Sequence, residues 1–253
     1  MILASRRAAG VAGRQGSPRQ RHSAEAGFGW YARWGKRIFD VAAGVTGLVV
    51  LAAPLLVIVG VSRAIQGPPV FFTQERVGRH GKRFRLWKLR TMETREEDGN
   101  PVTVAGDARV TAWGRFLRRF KLDELPQIVC VLAGSMSLVR PRPDVPGYWD
   151  RLEGRHRAVL ELRPGITGPA TLVFRDEEKL LAQTDDPRAF NDHYLFPEKV
   201  RLNTRYAHEM SFLSDLKWIV YTVLPERLLR RRLERQGWTH QLAGKGRVTD
   251  LGR

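Results

Sequence analysis

From Val41 to Ser62 the chain reads VAAGVTGLVVLAAPLLVIVGVS without one charged side chain. A helix of that length reaches across a hydrocarbon layer of roughly 30 Å. Pro54, in the middle, removes a backbone donor and favours a bend. Arg33, Lys36 and Arg37 precede the run, and Arg63, Arg76, Arg79, Lys82, Arg83, Arg85, Lys88 and Arg90 follow it. Cations on both flanks predict that both ends stay in the cytoplasm. The expected element is a re-entrant helix that enters the bilayer, breaks at Pro54 and returns. Trp30, Tyr31 and Trp34 would anchor its entrance, and Asp40 at its mouth would pair with Arg37 or Lys36. A straight spanning helix and a buried core helix are the competing readings.

Beyond Arg63 the period changes from helical to alternating. Residues 67–78 open with turn formers and continue with strand formers, and residues 82–90 alternate polar and apolar. That pattern predicts a short hairpin with Phe84, Leu86 and Lys88 on one side and Arg83, Arg85 and Trp87 on the other. Residues 93–107 are acidic and aperiodic, which predicts a mobile loop. In RVTAWGRFLRRF, Val110, Trp113, Phe116, Leu117 and Phe120 recur at helical spacing, with Arg115, Arg118 and Arg119 on other faces. Further helices are expected over Glu177–Leu181 and Glu198–Leu213. An apolar stretch from Leu216 to Leu224 is too short for a confident span, and a basic helix carries Arg227, Arg230, Arg231, Arg232 and Arg235.

These elements predict an α/β protein, helix-rich with a small β-hairpin or sheet, attached to one membrane leaflet. The domain expectation is a disordered basic tail (1–29), a membrane-inserted re-entrant helix (30–65), a cytoplasmic catalytic domain (66–225) and a basic C-terminal helix or tail (226–253). The tail lacks the apolar core of a cleaved signal peptide. A formal charge of +17 over 253 residues points to an anionic partner: nucleic acid, an acidic membrane surface or a phosphorylated small molecule. The single cysteine, Cys130, sits among Ile128, Val129, Val131 and Leu132 and reads as a buried structural thiol. The histidines show no metal-ligand spacing.

Candidate chemistry concentrates in Lys121-Leu122-Asp123-Glu124-Leu125-Pro126-Gln127. Adjacent carboxylates lie between Arg115, Arg118, Arg119 and Lys121 on one side and Arg140 and Arg142 on the other. Cations of that density suit a phosphate substrate held against a carboxylate. The competing reading makes Asp123 a helix N-cap with Pro126 just inside.

Six motifs in order carry a resemblance. They are Lys36-Arg37-Ile38-Phe39-Asp40 with the proline-bearing run after it, Gly67 through Gly78, Trp87-Lys88-Leu89-Arg90-Thr91-Met92, Leu122 through Gln127, Met136 through Pro143, and Arg163-Pro164-Gly165-Ile166-Thr167-Gly168. From about residue 34 to about residue 220 the chain resembles the bacterial sugar transferases, the monotopic phosphoglycosyl transferases. The resemblance implies transfer of a sugar 1-phosphate from a nucleoside diphosphate sugar, usually a UDP-sugar, to polyprenyl phosphate at the cytoplasmic face of the bacterial inner membrane. It implies Asp123 as nucleophile, Glu124 as a second site carboxylate that helps to hold Mg²⁺ or manages protons, and both carboxylates as the oxygen ligands of that Mg²⁺. The substrate-binding set is Arg118, Arg119, Arg140 and Arg142, with Gln74, Arg76, Lys88 and Arg90 from the hairpin motifs. Anionic inner-leaflet lipid is a further expected partner, nucleic acid is not, and oligomeric state is left open. The chain departs from the family with Ala53 rather than Ser before Pro54, Arg140 rather than Gly before Pro141-Arg142-Pro143, and Pro169-Ala170 after Gly168. The alternative function is a non-catalytic, membrane-anchored basic protein binding nucleic acid or an acidic partner. Such a binder has no need of two carboxylates inside its cationic patch.

Overall fold

The computed structural model describes residues 31–93 and 106–239. The expected tail at 1–29, most of the acidic loop at 93–107 and the chain beyond residue 239 lie outside the described residues. The apolar run forms one helix, α1 (Lys36–Gln66), entered through a π-helical turn at Tyr31–Gly35. Helical structure continues on both sides of Pro54, so the expected break is not an interruption of the element. A proline deletes one N–H and can bend a helix that its flanking turns still sustain.

Both ends of α1 are tied to the rest of the protein. Near the start, Arg37 donates from Nη1 to Val131 O (2.7 Å) and from Nη2 to Leu132 O (2.9 Å). These are carbonyls at the end of a short helix, α3, described below, where a cation is favoured. About two to three turns further, Gly44 and Gly47 let the backbone approach Leu132 and Ile128, which a Cβ at either glycine would meet at 3.0 Å. At the far end, Trp113 Nε1 donates to Ser62 Oγ (2.8 Å) and Gln66 Nε2 to Arg90 O (3.1 Å). The helix stops at Gly67, whose φ of +66° is cheap only for glycine. Arg90 closes this end by donating to the carbonyls of Gln66, Gly67 and Pro68. Between the ends, Val45, Val49, Val50, Leu56 and Val57 are 48–72% exposed.

The alternation beyond Gly67 produces an antiparallel hairpin of β1 (Phe71–Val77) and β2 (Arg83–Leu89), with Gln74 opposite Leu86 and Arg76 opposite Phe84. As expected, Leu86 is buried, Phe84 and Lys88 are half-buried, and Arg83, Arg85 and Trp87 are exposed. Next, α2 (Ala112–Arg119) starts under a Thr111 cap whose Oγ1 accepts from Gly114 N (2.9 Å). Then comes α3 (Gln127–Leu132).

The sequence pattern misses a parallel pair, β3 (Ser137–Val139) with β4 (Gly165–Thr167). Three-residue strands are too short to show a period. Their pairing requires glycine at 165, where a Cβ would lie 2.3 Å from Arg140 N and 2.5 Å from Arg140 O. Backbone against backbone cannot relax, so Gly165→Ala should destabilise by about 3 kcal/mol. Thermal unfolding in detergent checks this, with an expected fall of roughly 6–12 °C in midpoint.

The C-terminal third is helical: α4 (Pro169–Val173), α5 (Glu177–Leu181), α6 (Pro187–Phe190), α7 (Phe196–Glu209), α8 (Phe212–Val223) and α9 (Glu226–Arg235). The expected single helix over Glu198–Leu213 is two, because Ser211 and Ser214 form a reciprocal capping box that starts α8. Val139, Leu195, Leu202, Tyr206, Trp218 and Leu229 pack into the largest core cluster.

Candidate active site

Where α2 ends, Lys121 takes a left-handed conformation (φ +57°) and Leu122–Glu124 forms one tight 3₁₀ turn. This reversal directs Asp123 inward, where it is 6% exposed. Its side chain makes no capping bond, and α3 begins only after Pro126, so the N-cap reading of Asp123 does not hold. Among the described residues Asp123 Oδ1 has no hydrogen-bond partner. Burial and the neighbouring Glu124 raise the Asp123 pKa, against the opposing pull of Lys88, Lys121 and Arg118. A buried carboxylate oxygen with no donor and several cations nearby is an under-solvated group and a candidate for chemistry.

Glu124 is arranged oppositely. Arg142 donates from Nη1 to Oε2 (2.7 Å) and from Nη2 to Oε1 (2.5 Å), a two-pronged pair that occupies both carboxylate oxygens. Burial alone would raise the Glu124 pKa. The Arg142 charge and its hydrogen bonds, with Lys88 and Lys121, outweigh that and hold it down at about 2. Arg142 also donates to Ile166 O (3.3 Å), the central residue of β4, and prolines flank it in sequence.

The inner face of the hairpin supplies the remaining cations. Arg76 donates to Gln74 Oε1 (2.6 Å) and to Pro143 O (3.4 Å), with Asp144 Oδ1 3.8 Å away. Burial lowers the Arg76 pKa to about 10, with Asp144 opposing and Arg142 adding to the fall. Lys88 is pushed down to about 8, by burial first and then by Arg142, while Glu124 and Asp123 pull it back. Gln74, Arg76, Lys88, Asp123, Glu124 and Arg142 therefore meet in one place, from three segments of the chain.

Other sequence candidates lie elsewhere. Arg118 reaches Thr91 Oγ1 (3.0 Å) and Glu178 Oε1 (3.1 Å), at the margin where its charge still acts on Asp123. Arg119 is exposed beside the Phe120 ring, 5.7 Å from its centroid. Arg90 is committed to the end of α1, as described above. Arg140 is buried on the side of β3 facing Tyr31 and Tyr206, where burial and Asp215 push both phenols up and the Arg140 charge opposes them. Three groups not anticipated stand near Arg142. Lys199 Nζ bonds Glu177 Oε1 (2.6 Å), Glu177 favours the charged form of Arg142, and half-buried Asp144 has a pKa that desolvation raises and Lys199 and Arg76 moderate. Asp144 adjoins the Pro-Arg-Pro segment and could have been suspected on that ground. Nothing in spacing points to Glu177 or Lys199.

A magnesium ion takes few protein oxygens and completes its shell with water and phosphate. The partnerless Asp123 Oδ1 fits that requirement. Glu124, with both oxygens on Arg142, is suited to holding Arg142.

The family model described as "Bacterial sugar transferase" matches residues 31–226. Over 192 residues the chain is 37% identical to a Bacillus subtilis protein named "Uncharacterized sugar transferase EpsL", covering 74% of this chain and 85% of that one. It is 38% identical over 195 residues to a Caulobacter vibrioides "UDP-glucose:undecaprenyl-phosphate glucose-1-phosphate transferase", covering 74% and 68%. An Escherichia coli protein of the same name is 36% identical over 199 residues, covering 74% of this chain and 39% of the relative. With its carboxylate pair, Pro-Arg-Pro segment and long apolar helix inside the matched span, this chain belongs to the bacterial sugar transferase family.

Proposed function

We propose that the chain transfers a sugar 1-phosphate from a UDP-sugar to a polyprenyl phosphate, through a phosphosugar held covalently on Asp123. One observation carries this reading: a buried, partnerless carboxylate oxygen beside Lys88 and the Arg142–Glu124 pair. The names of the relatives supply the substrate class, UDP-glucose in two and an undecaprenyl-phosphate galactose phosphotransferase in a third. Family membership removes the non-catalytic basic binder as an alternative.

Asp123 attacks the phosphorus that bears the sugar. A carboxylate O–P bond forms, the P–O bond to the nucleotide α-phosphate breaks, and the electron pair leaves with UMP. An oxygen of polyprenyl phosphate then attacks the same phosphorus and the carboxylate is released, so protons balance without a general base. Lys88 and Arg76 neutralise the diphosphate, and Arg142, fixed by Glu124, presents its remaining edge to the phosphate oxygens. Bound Mg²⁺, with Asp123 as its protein ligand, would neutralise the same oxygens and the leaving group.

The membrane part of the proposal is re-entry of α1. One domain holds both ends of the helix, through Arg37 on Val131 and Leu132 and through Ser62 on Trp113, which supports ends on one side of the bilayer. The exposed apolar middle would then be lipid-covered, and exposed Trp34, Phe71, Phe72, Trp87, Phe116 and Phe120 would sit at headgroup depth. That arrangement would put the carboxylates at the cytoplasmic face, within reach of a prenyl phosphate, and the product would start a surface glycan.

Lys88 gives this site a pH limit. A lysine that loses its proton at about 8 stops neutralising phosphate above that pH, so donor KM should climb as pH rises beyond 8. In Lys88→Arg, whose cation persists, the rise should be absent between pH 8 and 9.5. Initial rates against UDP-sugar concentration across that range decide it. The proposal itself is tested by release of UMP from a panel of UDP-sugars, in lipid, with Mg²⁺ and undecaprenyl phosphate. Acceptor-dependent release from at least one sugar is expected, and none from any UDP-sugar would overturn the donor class.

A further inference from the structure

A second polar cluster lies at the root of α1. Lys36 Nζ contacts Asp40 Oδ1 (2.5 Å) and Asp215 Oδ2 (3.2 Å). Asp215, fully buried on α8, accepts from Tyr31 OH (2.7 Å) and Tyr206 OH (2.5 Å). Two of its links reach β3: Asp40 Oδ1 accepts from Leu138 N (3.2 Å), and Tyr206 OH lies 3.1 Å from Val139 O. Apolar contacts would seat a helix at least as firmly as a buried lysine between two aspartates. What hydrogen bonds add is direction, one register of α1 against α8 and β3.

That register leads to the catalytic centre. Arg140 N donates to Thr167 O (2.9 Å) and Gly165 N to Pro141 O (2.8 Å), and Gly165 and Gly168 lie against the Arg140 backbone. Two residues beyond Arg140 stands Arg142, which also bonds Ile166 O between the two ends of β4. Thr167 Oγ1 meets Thr222 Oγ1 at 2.8 Å, fastening β4 to the same helix that carries Asp215. We propose that the Lys36–Asp40–Asp215–Tyr206 network positions Arg142, by fixing β3 and β4 between the membrane helix and α8, so that the seating of α1 sets the alignment of the Arg142–Glu124 pair. Asp215 and Tyr206 are positioning residues and touch no substrate. The inference rests on the transferase reading above.

Misplacing a positioned group by about 1 Å can cost two orders of magnitude in rate. In Asp215→Asn and in the milder Tyr206→Phe, kcat should therefore fall roughly 10- to 100-fold and roughly 3- to 10-fold respectively, with donor KM changed less than about 3-fold. Each variant is combined with Arg142→Lys in the full-length protein in lipid nanodiscs. If the network acts through Arg142, its loss should add little in the Arg142→Lys background, because neighbours in one device are not additive. Tyr206→Phe keeps the ring and serves if Asp215→Asn does not fold. Equal proportional losses in both backgrounds, or unchanged kcat, would overturn the inference while leaving the transferase reading intact. A wild-type protein that releases no UMP would overturn both.

Discussion

Asp123→Asn should abolish turnover while raising stability. The amide cannot form the carboxylate O–P bond, so kcat should fall at least about 10³-fold with donor KM little changed. Stability moves the other way. Burial and Glu124 raise the Asp123 pKa above its ordinary 3.8, so the unfolded chain ionises first. The contribution of this group to stability therefore declines as pH rises above 3.8, because ionisation puts a charge into a buried site where Oδ1 lacks a donor. Asparagine removes that penalty. Thermal unfolding of both proteins should show the variant melting higher at pH 7 and the gap closing toward pH 4. A variant that melts lower at pH 7 would mean that Asp123 is a structural acid rather than a strained, reactive one.

Arg142→Met should produce the largest loss of stability at the site. It leaves Glu124, whose side chain is only 13% exposed, without its guanidinium; for a fully buried pair such a change costs about 3–5 kcal/mol, and for this partly exposed one about 3 kcal/mol is expected. The pH dependence fixes the cause. Held at about 2 against an ordinary 4.5, Glu124 stabilises the fold fully above 4.5, and that contribution is lost as pH falls toward 2. The difference between wild type and Arg142→Met should thus be largest at neutral pH and shrink in acid. Adding Glu124→Gln should recover most of the stability at pH 7 and none of the activity. Urea titrations at pH 7 and pH 4 read both effects; a difference independent of pH would assign the loss to packing.

Local pattern made the hairpin legible, because alternation in Lys82–Arg90 has a period of two and one buried face. The same alternation set Lys88 apart from Arg83, Arg85 and Trp87, and so placed it on the face that meets Asp123. The carboxylate pair was legible as a candidate site because Asp123, Glu124 and Arg142 stand close in sequence, and the structure brings the three together. Arginines were harder to assign. Arg90, Arg140 and Arg142 look alike in sequence, yet one closes α1, one is buried toward Tyr206 and one holds Glu124. Which it is depends on backbone carbonyls and carboxylates brought near by tertiary structure. Asp215 shows the limit most plainly. Its partners Tyr31 and Lys36 lie at the other end of the chain, and no periodicity links residues so far apart.

The most direct test of covalent transfer is a single-turnover experiment without acceptor. Purified protein is mixed with Mg²⁺ and a UDP-sugar carrying a labelled sugar, quenched, and digested for peptide mass analysis. The account predicts up to one UMP released per protein and a phosphosugar on the peptide containing Asp123, discharged when polyprenyl phosphate is supplied. UMP release that begins only on adding polyprenyl phosphate, with no sugar on the protein at any time, would contradict it and indicate direct transfer between the two substrates.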